Sequence, residues 1–299
     1  MSVMSHLIYN TLKIRYKIYF SYLSDQAYFE KIGKDLKKVN KLIGYRFQNA
    51  PVQIEEEVLA GVPCRWITPE PCKNFGVLVY LHGGGYNAGE WQTYQNFLIS
   101  LALQNQRKIL FIEYTTSNIA PFPAALNDVV KAIAVLQQQE IPYVLAGDSA
   151  GGALALATLA YLKDHQQALP KGVIGFCPWL DLTTKDADKL LQQKDPALRT
   201  SLLNTLAQIY CGEERADHPY ISPAYGEYTA MPPIFIQAGE YDLLTPDIES
   251  FYQKAKKEGW PVHLKVWPRL WHVWHLATHM RESKDAIAEA IEYLDKMMD

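Results

Sequence analysis

The sequence predicts an α/β fold, with a mostly parallel, twisted sheet, helices on both faces and a helical cap. Two observations support this prediction. Short apolar runs typical of buried strands alternate with longer segments whose apolar residues recur at helical spacing. One alternation contains Gly147-Asp148-Ser149-Ala150-Gly151 between an apolar run and a segment of small residues, which indicates a strand, a sharp turn and a helix.

Length and charge limit the number of domains and the class of partner. At 299 residues the chain can bury one large core, so we expect a single domain over residues 1–299. A formal net charge of −3 and the lack of a long basic run argue against a nucleic-acid partner. A small or neutral ligand fits this composition better, and a homodimer is possible.

The cysteines and the first residues bear on the cellular location. The cysteines form no C-x-x-C pair, which favours free thiols in a reducing, cytoplasmic compartment over zinc binding, while a Cys64–Cys72 bridge stays open. Residues 1–23 are apolar and aromatic, but Lys13, Arg15 and Lys17 interrupt them. We therefore expect neither a signal peptide nor stable membrane insertion.

The same N-terminal segment has helical periodicity. On a helix, one face carries Ile8, Leu12, Tyr16, Tyr19 and Leu23. This stripe predicts a helix that packs on the core, and a helix that lies on a membrane surface is the alternative.

The elements that follow are predicted in a regular order. Residues 53–66 alternate enough to indicate an antiparallel pair of strands that ends near Pro69. Buried strands are then predicted at residues 76–81, 108–114, 143–146 (just before the turn at Gly147), 172–177, 233–238 and 262–267, and helices at residues 94–104 and 124–138. Strands and helices in this order place a site at the carboxyl ends of parallel strands.

One segment breaks the alternation. Residues 181–228 are too many for a simple crossover, and their first part is polar. We expect them to form an inserted cap, together with helices from about residues 1–50. Such a cap would cover the carboxyl edge of the sheet and exclude water from a pocket.

The Gly-x-Ser-x-Gly motif at residues 147–151 predicts a nucleophile elbow, with Ser149 as the nucleophile. Because Ala150 opens the next helix, its N–H can receive an oxyanion beside the serine hydroxyl. The alternative is an ordinary strand-to-helix turn rich in small residues. The glycines at residues 83–85 follow directly on another predicted strand, and their bare backbone indicates an oxyanion loop instead of a merely flexible turn.

A nucleophilic serine needs a base and an orienting acid, which follow it in the order Asp or Glu, then His. Asp242, after the strand at 233–238, is the predicted acid, and Glu240 is its competitor. The predicted base is His272, the first histidine after the last strand. With His275 and His279 it could instead line a helical metal site, but isolated helical histidines are usually structural, so we expect no metal.

These motifs resemble the hormone-sensitive-lipase-like family of α/β-hydrolases, to which many bacterial carboxylesterases belong. The match runs from about Val77 to the C-terminus and rests on five motifs: His82-Gly83-Gly84-Gly85, Gly147-Asp148-Ser149-Ala150-Gly151-Gly152, Pro178-Trp179-Leu180-Asp181-Leu182, Glu240-Tyr241-Asp242-Leu243 and His272-Val273-Trp274. The resemblance implies an α/β-hydrolase fold and no cofactor. It implies a triad of Ser149, Asp242 and His272, and an oxyanion hole of the N–H groups of Gly84, Gly85 and Ala150, with Gly83 shaping the loop.

The expected function is that of a serine carboxylesterase that forms an acyl-enzyme with a small-molecule ester. An amidase, lactonase or peptidase with the same triad is the alternative among enzymes, and a ligand-binding, non-catalytic member of the fold is the alternative outside them. A binding protein would be expected to lack a base, so His272 favours the enzyme.

Aromatic residues beside the motifs bear on the size of the substrate. Tyr86 and Trp179 are predicted to bind substrate, and Trp271 and Trp274 flank the base. Rings bring apolar surface but occupy volume, so we expect short to medium acyl chains of about two to eight carbons.

One segment departs from the family pattern. Members usually carry Tyr-Arg-Leu-Ala-Pro-Glu after the second central strand, whereas Tyr114 is followed here by Thr-Thr-Ser-Asn-Ile at residues 115–119. Arg and Glu are both missing, so neither leaves an unpaired charge. We expect altered packing of this loop and no loss of catalysis.

Overall fold

The sheet of this protein is mostly parallel in the computed structural model, which describes residues 2–43, 47, 49–73, 75–183 and 194–298. Its strands are β1 (Val52–Leu59), β2 (Val62–Pro69), β3 (Val77–Leu81), β4 (Lys108–Ile112), β5 (Tyr143–Asp148), β6 (Val173–Phe176), β7 (Ile234–Gly239) and β8 (Val262–Trp267). They are ordered β1-β2-β4-β3-β5-β6-β7-β8. β2 is antiparallel to β1 and β4, and the other neighbours are parallel, which confirms the predicted sheet and its antiparallel pair.

Helices cover both faces of this sheet. They are α1 (Val3–Tyr22), α2 (Asp25–Ile43), α3 (Trp91–Asn105), α4 (Ala124–Gln138), α5 (Ala150–Asp164), α6 (Thr200–Cys211), α7 (Thr245–Glu258) and α8 (Arg281–Met298). Alternate residues of β3 point to opposite layers. Val77 and Val79 pack in a cluster with α4, α5 and α7, and Leu78 and Tyr80 pack in a cluster with α3 and α8.

The central helix α5 explains why the segment after the elbow is so rich in alanine and leucine. Ala150 to Leu162 is buried at almost every position. Small side chains allow this helix to lie close to the sheet, and the leucines fill the remaining space. A helix that is apolar all round is typical of the interior of a protein.

The N-terminal helices pack as the stripe predicts. Tyr16 and Tyr19 of α1 are buried in the main core cluster, and Leu12 packs against it. The next helix, α2, contacts the segment before α6, because Tyr28 Oη donates to the carbonyl oxygen of Ala197 at 2.6 Å. Residues 184–193 of the expected insertion lie outside the described residues, and a cap made of residues 1–50 and 181–228 stays a prediction.

All four cysteines are free thiols, so Cys64 and Cys72 are not bridged. None of the described helices combines the length and the apolar character that a membrane crossing requires.

Candidate active site

Ser149 lies at the sharp turn between β5 and α5. Its φ of 52° and ψ of −121° form a backbone conformation that residues other than glycine rarely adopt. Hydrogen bonds hold this conformation, because Ser149 N donates to the Phe176 oxygen at 2.9 Å and Trp179 N donates to the Ser149 oxygen at 3.0 Å. Backbone strain of this kind clusters at functional sites, and the turn has the geometry of a nucleophile elbow.

The glycines on either side of Ser149 let the turn approach β3. A Cβ atom on Gly151 would lie 2.1 Å from the carbonyl oxygen of Leu81, and one on Gly147 would lie 2.5 Å from the backbone of Gly151. Any larger residue at either position would therefore push the elbow away from the strand beside it.

A continuous chain of hydrogen-bond contacts joins Ser149, His272 and Asp242. His272 Nε2 lies 2.9 Å from Ser149 Oγ, and His272 Nδ1 lies 3.0 Å from Asp242 Oδ2. Asp242 is fully buried, and its second oxygen, Oδ1, accepts from Leu244 N at 2.9 Å. The serine, base and acid predicted from the sequence thus lie together, although they come from three separate loops.

Glu240 and His275, the alternatives to Asp242 and His272, make contacts with other residues. Glu240 is exposed, and its Oε2 accepts from Arg269 N at 2.8 Å. His275 is buried, and its Nε2 lies 2.9 Å from Gln237 Oε1. These contacts direct the carboxylate of Glu240 and the ring of His275 away from the serine.

Within the described ranges, one group of ligand-type side chains is close enough to share a metal ion, namely Cys177, Asp242 and His272. Burial, followed by the charge of Asp242, raises the pKa of the Cys177 thiol well above its usual value, so the thiol stays protonated. A protonated thiol is a poor metal ligand. The group fits the triad better than a metal centre, and it does not contain His275 or His279.

The glycine loop after β3 lies against the elbow. Gly83 N donates to Asp148 Oδ1 at 2.9 Å, which ties the loop to the residue before Ser149. The N–H groups of Gly84 and Gly85 donate to no acceptor in the described part of the chain. Ala150 is the first residue of α5, so its N–H has no acceptor within the helix. Such N–H groups can bind an oxyanion.

Asp148 is a buried residue to which the motif alone gave no role. Its carboxylate accepts from Tyr80 Oη at 2.8 Å and from Tyr94 Oη at 2.9 Å, besides Gly83 N. Burial raises the pKa of Asp148, while these hydrogen bonds and the charge of His272 act in the opposite direction. The side chain holds the elbow and the glycine loop in one arrangement.

His82 anchors the start of the same loop. Its ring stacks on Tyr114, with 4.1 Å between the ring centroids, and Tyr114 Oη donates to the His82 oxygen at 2.6 Å. Burial lowers the pKa of His82 to about 4, although its contact with the Gly83 carbonyl acts in the opposite direction. The imidazole is therefore neutral at neutral pH and serves as a packing group.

The loop that departs from the family pattern contacts this region through its backbone. Ser117 N donates to the Tyr86 oxygen at 2.7 Å, and Thr115 N donates to Asp128 Oδ2 at 2.9 Å. Backbone bonds thus hold this segment next to the residue that follows the glycine loop.

Asp195, in the segment before α6, is a second buried carboxylate that no motif identifies. Its Oδ1 accepts from the N–H groups of Ala197 and Leu198 at 2.8 and 2.9 Å, and its Oδ2 accepts from Leu243 N at 2.9 Å. Burial and then the charge of Asp242 raise the pKa of Asp195. This side chain attaches the segment before α6 to the loop that carries Asp242.

Opposing effects act on the pKa of His272, the predicted base. Burial lowers the pKa of His272, whereas the charge and hydrogen bond of Asp242 and the charges of Asp195 and Asp148 raise it. The result is a pKa above the ordinary value of 6.5. The carboxylates around the imidazole therefore stabilise its protonated form.

Aromatic and aliphatic side chains surround the glycine loop. Tyr86 and Trp179 are both fully buried, and the ring of Tyr86 stacks on Tyr210 of α6 with 3.5 Å between centroids. A Cβ atom on Gly85 would lie 2.5 Å from Leu206 Cδ1, so α6 lies directly against the loop. Substrate binding by Tyr86 and Trp179 stays a prediction.

The chain is similar to proteins of one family. A family described as alpha/beta hydrolase fold matches residues 78–276. An acetyl-hydrolase from Streptomyces hygroscopicus is 36% identical over 70% of this chain and 71% of that protein. An esterase from Acinetobacter venetianus is 28% identical over 82% of this chain and 83% of that protein. The crystal structure of an esterase from the bacterial hormone-sensitive lipase family has a TM-score of 0.88 and 27% identity, covering 100% of this chain and 99% of that one.

The family match includes residues 78–81 of β3, the elbow and the loops of Asp242 and His272, and the similarity in structure extends over the whole sheet. The chain therefore belongs to the α/β-hydrolase family and is hormone-sensitive-lipase-like within it, as its motifs predicted.

Proposed function

We propose that this chain is a serine carboxylesterase that hydrolyses small esters through an acyl-enzyme. The observation that carries the proposal is the contact chain from Ser149 Oγ through His272 to Asp242, with separations of 2.9 and 3.0 Å. Relatives named acetyl-hydrolase and esterase support the ester class. This chemistry requires no cofactor.

In the first half of the reaction, Ser149 Oγ attacks the carbonyl carbon of the ester while His272 Nε2 accepts the hydroxyl proton. Asp242 holds the proton of the imidazole on Nδ1 and stabilises the imidazolium. The carbonyl oxygen becomes an oxyanion, which the N–H groups of Gly84 and Ala150 bind together with that of Gly85. The intermediate collapses when His272 gives its proton to the departing alcohol oxygen.

The second half repeats these steps with water. His272 Nε2 takes a proton from a water molecule, whose oxygen attacks the carbonyl carbon of the acyl-enzyme. Collapse returns the proton to Ser149 Oγ and releases the carboxylic acid.

An amidase, lactonase or peptidase would use the same residues and differ in the leaving group. An ester and an amide of one acyl group separate these proposals, and we expect the ester to be hydrolysed much faster. A ligand-binding protein would hydrolyse neither. The short contact between Ser149 Oγ and His272 Nε2 supports an enzyme over that alternative.

We expect kcat/KM to be highest for acyl chains of about two to eight carbons, because each added methylene gains only about 0.8 kcal/mol until the pocket ends. Leu206 and Tyr210 of α6 lie beside the glycine loop and limit the space there. Rates for p-nitrophenyl acetate, butyrate, octanoate and laurate measure this dependence.

Leu206→Ala should move the preference toward longer chains, and Leu169→Ala, at an exposed leucine, should leave it unchanged. Rates that rise steadily to long-chain triglyceride emulsions would instead identify an open lipase site.

The acid limb of kcat/KM is expected to have an apparent pKa above the ordinary histidine value of 6.5. Below its pKa, His272 carries a proton and cannot accept another from Ser149, so activity falls as the pH falls. The carboxylates of Asp242, Asp195 and Asp148 raise this pKa. A pH profile of kcat/KM, measured where the fold is intact, tests the prediction.

Asp195→Asn removes one of these charges, so it should move the acid limb to lower pH by up to about one unit. Glu240→Gln is the matched control, because Glu240 is exposed and bonded to Arg269 N. A profile that stays flat down to about pH 4 would contradict the assignment of the base. A limb that is unmoved in Asp195→Asn would show instead that the charge of Asp195 does not act on His272.

A further inference from the structure

Helix α1 is apolar on the face that points away from the core as well as on the face that packs on it. Five large apolar side chains of this helix are more than half exposed: Val3, Met4, Leu7, Ile14 and Ile18. On a helical wheel they lie together, opposite the buried Tyr9 and Tyr16. This outer face of α1 extends about 22 Å from Val3 to Ile18.

The charges of α1 all have one sign. Residues 3–22 contain no Asp and no Glu, although the whole chain has a net charge of −3. Lys13 and Lys17 are exposed, and on the wheel they follow one edge of the outer face, with His6 beside them. An exposed apolar stripe with a basic edge and no carboxylate is typical of helices that lie in the plane of a membrane surface.

The inner face of α1 lies on the loops of the candidate active site. Tyr9 packs on Tyr241 and Trp271, with 5.6 and 6.0 Å between the ring centroids. These rings adjoin Asp242 and His272 in the chain. The helix is also fixed at its start, because Ser5 Oγ donates to Glu282 Oε2 at 2.5 Å. A surface that contacts the outer face would therefore lie about one helix diameter, roughly 10 Å, from these loops.

We propose that the outer face of α1 docks the protein reversibly on an anionic lipid surface. Leu7, Ile14 and Ile18 enter the boundary between head groups and acyl chains, and Lys13 and Lys17 contact lipid phosphates. A second copy of the chain fits this face less well in an antiparallel symmetric contact, because the lysine edges of the two α1 helices would then lie on the same side of the interface. The docking itself does not depend on the proposed hydrolysis.

Sedimentation with lipid vesicles tests the proposal on the whole chain. The Ser149→Ala variant is used so that lipid hydrolysis cannot affect the result. We expect binding to phosphatidylcholine vesicles that contain phosphatidylglycerol, at least 10-fold weaker binding to phosphatidylcholine alone, and weakening by added salt.

Two pairs of substitutions then locate the surface. Lys13→Gln with Lys17→Gln should weaken binding to the anionic vesicles by 10-fold or more, and Leu7→Ser with Ile14→Ser should weaken it at least as much. All four side chains are exposed, so circular dichroism and Tm should match those of the parent.

The matched controls lie elsewhere on the surface. Val58→Ser with Ile119→Ser changes two side chains that are 66% and 76% exposed, and Lys256→Gln with Lys257→Gln removes two exposed charges from α7. Neither pair should change binding. Equal losses in the control and α1 pairs would overturn the proposal, as would absence of vesicle binding. The parent protein could instead self-associate and fail to bind vesicles. If Leu7→Ser with Ile14→Ser then abolished the self-association, the outer face of α1 would be assigned to a second copy of the chain.

Discussion

Replacing Ser149 by Ala is expected to lower kcat/KM for ester hydrolysis by about 10⁴- to 10⁶-fold while the protein stays folded. The change removes only Oγ, which is the atom 2.9 Å from His272 Nε2, and it keeps the Cβ atom. The backbone strain at φ 52° is therefore the same in both proteins, and the hydrogen bonds of Ser149 N and its carbonyl oxygen do not involve the side chain. Steady-state rates with p-nitrophenyl acetate, together with Tm, measure both effects.

Ser100→Ala is a control for this substitution, because Ser100 lies on α3, in a helix that carries none of the three predicted catalytic residues. Its kcat/KM should stay close to that of the parent. A Ser149→Ala rate within about 10-fold of the parent would show that another group is the nucleophile.

Replacing His272 by Ala is expected to have a similarly large effect, a loss of about 10⁴- to 10⁶-fold in kcat/KM. Without the imidazole, the Ser149 hydroxyl has no base at 2.9 Å and Asp242 loses the partner of its Oδ2 atom. The loss should appear mainly in kcat, because the base acts in the transition state. Rates measured below the Tm of the variant test this expectation.

Two further histidines serve as comparisons. His263→Ala changes an exposed residue of β8 and should alter neither rate nor Tm. His275→Ala removes a buried ring that contacts Gln237 and packs on Phe176, so it should lower Tm while keeping kcat/KM below the new Tm. Loss of activity in folded His275→Ala, with activity kept in His272→Ala, would reverse the assignment of the base.

The strands and the candidate site could be predicted from the sequence where a short run of neighbouring residues determines the structure. The elbow is an example, because a glycine on each side of Ser149 is needed by contacts within a few residues of the turn and with one strand beside it. The apolar runs at residues 76–81 and 108–114 likewise indicate buried strands on their own. The order of the strands in the sheet could not be predicted in this way. β3 lies between β4 and β5, and this arrangement is visible only in the folded chain.

Contacts between distant segments could not be predicted. Asp195 bonds to Leu243 N, 48 positions away, and nothing in the residues around it indicates that neighbour. The hydrogen-bond partners of Asp148 come from β3, the loop after β3 and α3. The Gly-x-Ser-x-Gly motif that contains Asp148 therefore does not indicate these partners. The periodicity of α1 identified its inner face, but the exposure of Leu7 and Ile14 becomes evident only once the core is assembled.

The three carboxylates that raise the pKa of His272 also bear on the end of the proposed catalytic cycle. Hydrolysis turns a neutral ester into an acid that ionises at neutral pH. In the proposed reaction that new anion forms next to His272, whose pKa the charges of Asp242, Asp195 and Asp148 raise. Like charges repel in a site of low polarity, so we expect these carboxylates to favour release of the acid product and to disfavour the entry of esters that already carry a negative charge. We therefore expect the carboxylates that raise the pKa of His272 to weaken inhibition by the acid product as well.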